Sequence, residues 1–336
     1  MGHRVGVSTT GDTTPMHRDI RAALRLVMRR APGARAVLGA APLERMGGGE
    51  ERPTLVDAKC VEGTRVRAHV VPGDPHSDFA AFLDGTQHSE HVEQIGRAPI
   101  VWGKIAAGIR VRADRKLRSW HDPIVETRAY VPKAYLAPEI LASLIAELGE
   151  DAVRDTSAPD SDGVIPAAHP VLLLERAKYA VSNDRDRAER ALAERWCAEE
   201  QRPLFIDGGI GGSDIVAKAA CAIGVIKSHR TLYVDGDAID IVFALKKGER
   251  TSVISVASRK RPPLHSWYLR LRDPAGHDPL WGVVRVEVAK SAKVTGRADE
   301  VSRWVLTETA PNAMPDARWD KMSYGIRNAE EFLRAL

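Results

Sequence analysis

Two apolar runs in the chain each meet an Asp-Gly pair. Phe79-Ala80-Ala81-Phe82-Leu83 runs into Asp84-Gly85, and Leu204-Phe205-Ile206 runs into Asp207-Gly208. Short continuous apolar runs of this kind predict strands buried on both faces. A carboxylate that closes such a strand is held at the sheet's edge, where water and a ligand reach it. One Asp-Gly alone reads as a turn. Two of them in one α/β order point to a pair of converging acids. Two carboxylates with no cation between them repel, and one is driven to hold a proton. A hard dication, Mn²⁺ or Mg²⁺, removes that penalty by taking carboxylate oxygens as ligands.

A third acid is expected on the helix that precedes Asp207. Asp207 lies four residues beyond Pro203, roughly 13 Å along a strand. An antiparallel helix rises ~1.5 Å per residue, so its level position is roughly nine residues before Glu200, near position 191. Glu189 is the nearest acid on a half-apolar face, beside Leu192 and Trp196. Glu194 is nearer the helix end, and Glu175 is roughly 20 Å further away. Read alone, Glu189 is a solvated helix carboxylate. Ile223-Gly224-Val225-Ile226 ends on Lys227-Ser228-His229-Arg230. There Lys227 offers a point charge and Arg230 a bidentate clamp for phosphate oxygens; the competing reading is a basic strand exit facing solvent.

The elements that must position these residues follow from patterning. Asp19 to Arg30 has helical spacing, ended by Pro32-Gly33. Gly47-Gly48-Gly49 reads as a joint, and Thr54 to Val71 as a strand pair or an arm. Strands are expected over Phe79 to Asp84, Ile100 to Val111 and Ile124 to Val131. Pro138 to Leu148 reads as a helix with Pro at its start. Asp151 to His169 reads as a surface loop. Pro170 to Glu200 is helical, with Ser182-Asn183-Asp184 as a candidate break where Ser or Asp caps a second segment. Strands at Leu204 to Asp207 and Ala219 to Lys227, a helix at Ile239 to Lys247, three β-rich stretches (Ser252 to Ala257, Trp267 to Leu271, Val283 to Val288) and an amphipathic helix over Asp316 to Leu336 complete the reading. Early strands on short loops imply antiparallel pairing, and later strands alternating with helices imply parallel additions. That order is the RNase H-like plan: an α/β mixed sheet flanked by helices, in which the first and fourth strands are neighbours. Residues 1–75 are expected to form an N-terminal helical and extended appendage. Residues 76–336 form the main domain, with C-terminal β and helical additions.

The 336 residues suffice for a sizeable core, and 44% hydrophobic with 28% charged residues is a soluble globular balance. No apolar run reaches the ~18 residues of a membrane span, and Met1 to Pro15 lacks a signal peptide's apolar core. A cytoplasmic protein with no membrane partner is expected. Three widely spaced cysteines, Cys60, Cys197 and Cys221, make neither a zinc site nor a disulfide framework and read as buried free thiols. The net charge of +4 permits nucleic acid without requiring it. Two basic runs, Arg110 to Arg118 and Arg259-Lys260-Arg261, favour a phosphate-backbone partner; either alone reads as a solvated face.

The segments "FAAFLDGTQ", "PLFIDGGIGG", "AIGVIKSHR" and "GVVRVEV", in that order, resemble the NurA family of prokaryotic DNA-end nucleases over roughly Phe79 to Leu336. The resemblance implies an RNase H-like fold, Asp84 and Asp207 as metal ligands, Glu189 as the helical acid and Lys227 as the lysine after a later strand. It also implies a homodimer that works on DNA with a hexameric HerA-type ATPase, in end resection or phage defence. Thr86 stands where the family has Ser. The family's C-terminal Tyr-Pro followed by His or Asp is matched poorly by Met314-Pro315, and Asp320 is the candidate for its last ligand. His229 and His265 are further residues able to approach the site. The expected activity is phosphodiester hydrolysis with two Mn²⁺ or Mg²⁺ ions. A non-catalytic RNase H-like module that binds DNA or regulates an ATPase is the alternative. A Piwi-like guide-dependent nuclease lacks room for its extra domains, and a small-molecule kinase lacks a second phosphate loop.

Overall fold

The structure, a computed structural model, describes residues 19–31, 34–36, 54–56, 58–159, 163–258, 261–274, 277, 279–309 and 319–336. The Gly47-Gly48-Gly49 joint, Arg259-Lys260 and the stretch 310–318 lie outside them. The strands are β1 (Ala34–Ala36), β2 (Thr54–Leu55), β3 (Lys59–Cys60), β4 (Ala68–Val70), β5 (Ala81–Ile95), β6 (Ala98–Ala113), β7 (Lys116–Ser119), β8 (Ile124–Val131), β9 (Val153–Asp155), β10 (Leu204–Asp207), β11 (Ala222–Ile226), β12 (Thr231–Leu232), β13 (Glu249–Thr251), β14 (Ile254–Ser258), β15 (Arg261–Arg270) and β16 (Val283–Ala289). The helices are α1 (Ile20–Arg30), α2 (Pro138–Leu148), α3 (Pro170–Glu199), α4 (Asp214–Lys218), α5 (Asp237–Ala244), α6 (Val294–Glu308) and α7 (Tyr324–Arg334). No helix among the described residues is long and apolar enough to cross a membrane.

The fold is α/β. A large mixed sheet runs in the order β3-β14-β15-β16-β11-β10-β5-β6-β8-β9. The first long strand, β5, is therefore the neighbour of β10, the strand after helix α3, as an RNase H-like order requires. β10 is parallel to both β5 and β11, while β16 is antiparallel to β11.

The described residues fall into two compact units, and the cut does not follow a boundary at 75. One unit holds the residues before Pro42 with Glu90–Gly103 and Thr127–Ala177; the other holds those from Leu43 to Ser89, Lys104–Glu126 and Lys178–Leu336. In the first unit, α1 starts on Asp19, whose side chain accepts from the Arg21 and Ala22 N–H groups. Its Leu24, Val27 and Met28 pack with Val92, Ile100, Val131 and Leu144. The expected loop over 151–169 instead contains β9, which pairs in parallel with β8.

In the second unit the core is built on Phe79, Phe82, Phe205, Val286, Trp267 and Trp304. Phe79 stands with its ring centroid 5.1 Å from Phe205 and 5.6 Å from Trp304. α6, which periodicity left unassigned, brings Val301, Trp304 and Val305 to this core, and α7 brings Ile326. α7 begins at Tyr324, on a Ser323 cap that accepts from the Ile326 N–H, rather than at 316. Its Gly325 lies against Phe82: a Cβ added there would overlap the Phe82 ring. Gly325→Ala is therefore expected to lower thermal stability by about 1–3 kcal/mol, despite alanine's better helix propensity. Thermal denaturation checks this, and Phe82→Leu in the same chain should restore part of the loss; an unchanged melting temperature would contradict the packing.

Ser182-Asn183-Asp184 does not break α3. Capping needs the Ser or Asp side chain free to turn back on the backbone, and both are engaged with other side chains. Ser182 Oγ bonds Gln87 Oε1 at 3.2 Å, and the buried Asp184 lies 3.3 Å from Arg187.

Candidate functional site

The register of β5 and β10 sets the site. Leu204 stands opposite Ala81, Phe205 opposite Phe82 and Ile206 opposite Leu83. One further step along both strands brings Asp207 beside Asp84. Asp207 closes β10, as expected, but Asp84 does not close β5, which continues to Ile95. Asp84-Gly85 is therefore neither a turn nor a strand end. The polar residues after it stay extended as the first strand of a hairpin that turns at Gly96 (φ 54°) into β6. Asp84 is buried as a result, with its Oδ1 accepting from the Gly85 N–H at 2.8 Å.

Glu189 joins the two aspartates from α3. Its carboxylate lies directly over Gly85, so close that a Cβ at that position would overlap it. Glycine is what lets the helix carboxylate approach the strand. Glu194, the competing acid, instead accepts from the Ser213 hydroxyl at 2.5 Å, on the residue that caps α4.

The electrostatics follow from three acids in a confined space. Burial, then the charge of Asp207, raises the Asp84 carboxyl well above the usual carboxylate range; Lys227 opposes this and Glu189 adds to it. Burial likewise raises Glu189 to about 7, against the pull of the Arg185 guanidinium, with Asp186 and Asp207 pushing the same way as burial. Two cations answer this charge. Lys227 Nζ donates to Asp207 Oδ2 at 2.7 Å. Arg185 Nε lies 3.3 Å from Glu189 Oε1, and its Nη2 donates to Asp186 Oδ1 at 2.8 Å.

A cavity of about 900 Å³ opens beside the acids. Asp186, Glu189 and Arg190 of α3, the Gly208–Gly212 loop, and Arg285 with Glu287 of β16 are among its walls. Glu287 is buried, accepts from the Ile210 N–H at 3.0 Å and takes the Arg285 guanidinium at 2.5 Å. Arg185, Asp186, Arg285 and Glu287 escaped sequence reading. Helical spacing from Glu189 marks the first two, and period-two alternation on one strand face marks the others.

Asp320 does not join the acids. It sits in a single 3₁₀ turn, Trp319–Lys321, and its Oδ2 accepts from the Gly282 N–H at 2.7 Å. Ile226, the last residue of β11, stands opposite Arg285. Gly282 therefore lies about 10 Å past the end of β11 at strand rise. Asp320 satisfies a donor left unpaired where β16 begins. His229 bonds the Val283 carbonyl at 2.9 Å and is lowered to about 4 by burial, so it is neutral at pH 7. His265 Nδ1 accepts from the Ser291 N–H at 3.3 Å. The ring atom of each histidine that bonds is turned to backbone, not to the acids. Arg230 is exposed and is not among the cavity walls.

The basic run on the β6–β7 hairpin is partly internal. Arg112 makes a two-pronged bond to Glu308 at 2.8 Å for each prong, and Arg110 bonds Asn328, Ser119 and the Leu117 carbonyl. Arg115, Lys116 and Arg118 read as a solvated face.

Among the described residues, no three His, Cys, Asp or Glu side chains stand at the spacing of a metal-binding set. Lys227 and Arg185 occupy positions against two of the three acids. In donor type and charge the site still fits a hard dication: three carboxylates, two of them with proton affinity raised first by burial and then by neighbouring negative charge. No protein-family model matches the chain, and no curated protein matches it.

Proposed function

We propose that this protein is a metal-dependent DNA nuclease of the NurA kind, with Mn²⁺ or Mg²⁺ held by Asp84, Asp207 and Glu189. The observation that carries the reading is the in-register pairing of β5 with β10, which sets two aspartates side by side under a helix glutamate. When bound, such ions supply an activated water and charge for the leaving 3′ oxygen in a two-metal hydrolysis. Lys227, once Asp207 is engaged, is free to meet a phosphate oxygen as a point charge. Glu189, near neutrality, can hold or release a proton at working pH. The proposal extends, on the sequence resemblance, to a cytoplasmic homodimer acting with a HerA-type hexameric ATPase in DNA-end resection or phage defence.

A second reading rests on the two ion pairs. Lys227–Asp207 and Arg185–Glu189 neutralise the acids from within, as suits a non-catalytic DNA-binding or regulatory module of an ATPase complex. Mn²⁺ calorimetry and incubation with linear DNA separate the two. Mn²⁺ binding with degradation that stops in EDTA is the expected result. No binding and no degradation, with DNA or ATPase binding intact, would select the second reading.

A further inference from the structure

Two of the three thiols, far apart in sequence, meet in the fold. Cys197 lies in the last turn of α3 and Cys221 immediately precedes β11. Their sulfurs are 3.7 Å apart, in contact and hydrogen-bonded. Each residue keeps a small exposed area, 8%, so a small oxidant has an approach. Cys60, the third thiol, donates to the Glu62 carbonyl on β3's side of the sheet and has neither as a neighbour.

We infer that Cys197 and Cys221 are a site of reversible oxidation, closing to a disulfide with peroxide-class oxidants. The chemistry of the pair is asymmetric, as such a reaction needs. The hydrogen bond with Cys197, helped by the Arg297 guanidinium and opposed by burial, draws the Cys221 thiol down to about 7, while Cys197 is raised. Cys221, the thiol nearer the Arg297 guanidinium, acts as the attacking sulfur and Cys197 as the resolving one; the exchanged order gives the same disulfide. The Cys221 thiolate attacks a peroxide oxygen, the O–O bond breaks, and a sulfenic acid forms as hydroxide leaves. The Cys197 sulfur then attacks the sulfenic sulfur. The S–S bond forms, the S–O bond breaks, and hydroxide departs with the Cys197 proton as water. Two thiols and one hydrogen peroxide become one disulfide and two waters.

The loop that this bond closes, residues 197–221, contains β10 with Asp207 and the Gly208–Gly212 wall of the cavity. Oxidation therefore staples the end of α3 to the foot of β11 and stiffens that wall. This inference does not depend on the nuclease reading.

The test uses the full chain carrying Cys60→Ser, treated with equimolar hydrogen peroxide and then alkylated under denaturing conditions. Expected are a loss of both alkylatable thiols, a mass lower by two hydrogens that dithiothreitol restores, and a mapped Cys197–Cys221 peptide. The melting temperature should rise by about 5 °C, and amide exchange over 204–213 should slow. Cys197→Ser or Cys221→Ala should abolish the cross-link; if either fails to fold, peptide mapping of the parental chain decides alone. Two thiols that stay alkylatable, oxygen added without a cross-link, or cross-links only between chains would overturn the inference.

Discussion

Asp84→Asn and Asp207→Asn are expected to abolish Mn²⁺-dependent degradation of linear DNA alike, yet to shift stability in opposite directions. Each removes one of the carboxylates proposed to hold the metal, so the loss should exceed the roughly 100-fold typical of changes one shell further out. The stability effects follow from what each aspartate touches. Asp84 is buried against Asp207 and Glu189, and its raised proton affinity means that its charge opposes folding at neutral pH. Asparagine keeps the bond from the Gly85 N–H and drops the repulsion, so the metal-free variant should melt higher than the parent. Asp207 is the partner of Lys227, with the two side chains only 20% and 15% exposed. Asn there keeps an oxygen for the largely buried ammonium but removes its opposite charge, and should cost about 1–3 kcal/mol, between the ranges for surface and buried pairs. Nuclease assays beside thermal melts in EDTA decide the matter. Full activity in both variants would remove the metal site; a lower melting temperature for Asp84→Asn would remove the crowded-charge account.

The metal-free protein should lose stability as pH rises from about 4.5 to 7. Glu189 titrates near 7 in the folded protein and near 4.5 when unfolded. Below both values the group is protonated in either state and opposes nothing. Between them the unfolded chain releases the proton first, so unfolding is favoured as pH rises; above the folded value the loss is complete. For this one group the loss is up to about 3 kcal/mol. Asp84, raised by burial and then by the charge of Asp207, adds in the same direction. Glu189→Gln should flatten the slope, and Mn²⁺ should raise the melting temperature more at pH 8 than at pH 5, because only ionised carboxylates hold it. Chemical denaturation across this range in EDTA checks the sign. A metal-free protein that grows more stable from pH 5 to 7, with the same slope in Glu189→Gln, would show that the acids do not confront one another.

What local chemistry dictates is legible in the residues themselves. Apolar runs and strand–helix alternation carried the α/β class and the adjacency of β5 with β10. Rise per residue along helix and strand carried Glu189 to its place over Gly85. α2 begins at Pro138 and ends at Leu148 as patterning predicts, because a proline start and an apolar stripe are properties of neighbouring residues.

The remainder depended on partners distant in the chain. The fifteen-residue length of β5 is carried by polar residues whose extended form comes from pairing, not from their own propensity. At Ser-Asn-Asp, α3 runs on with the Ser182 hydroxyl held by Gln87, 95 residues earlier. Asp320 looked like a ligand until Gly282 proved to be its partner. The same holds for Lys227 on Asp207 and for the meeting of Cys197 with Cys221. Asp84, Glu189 and Asp207 are legible as the central acids because strand period and helix rise are local geometry. Helix spacing also places Arg185 by Glu189, whereas Lys227 reaches Asp207 only through the pairing of β10 with β11, because that partner is chosen by distance in space.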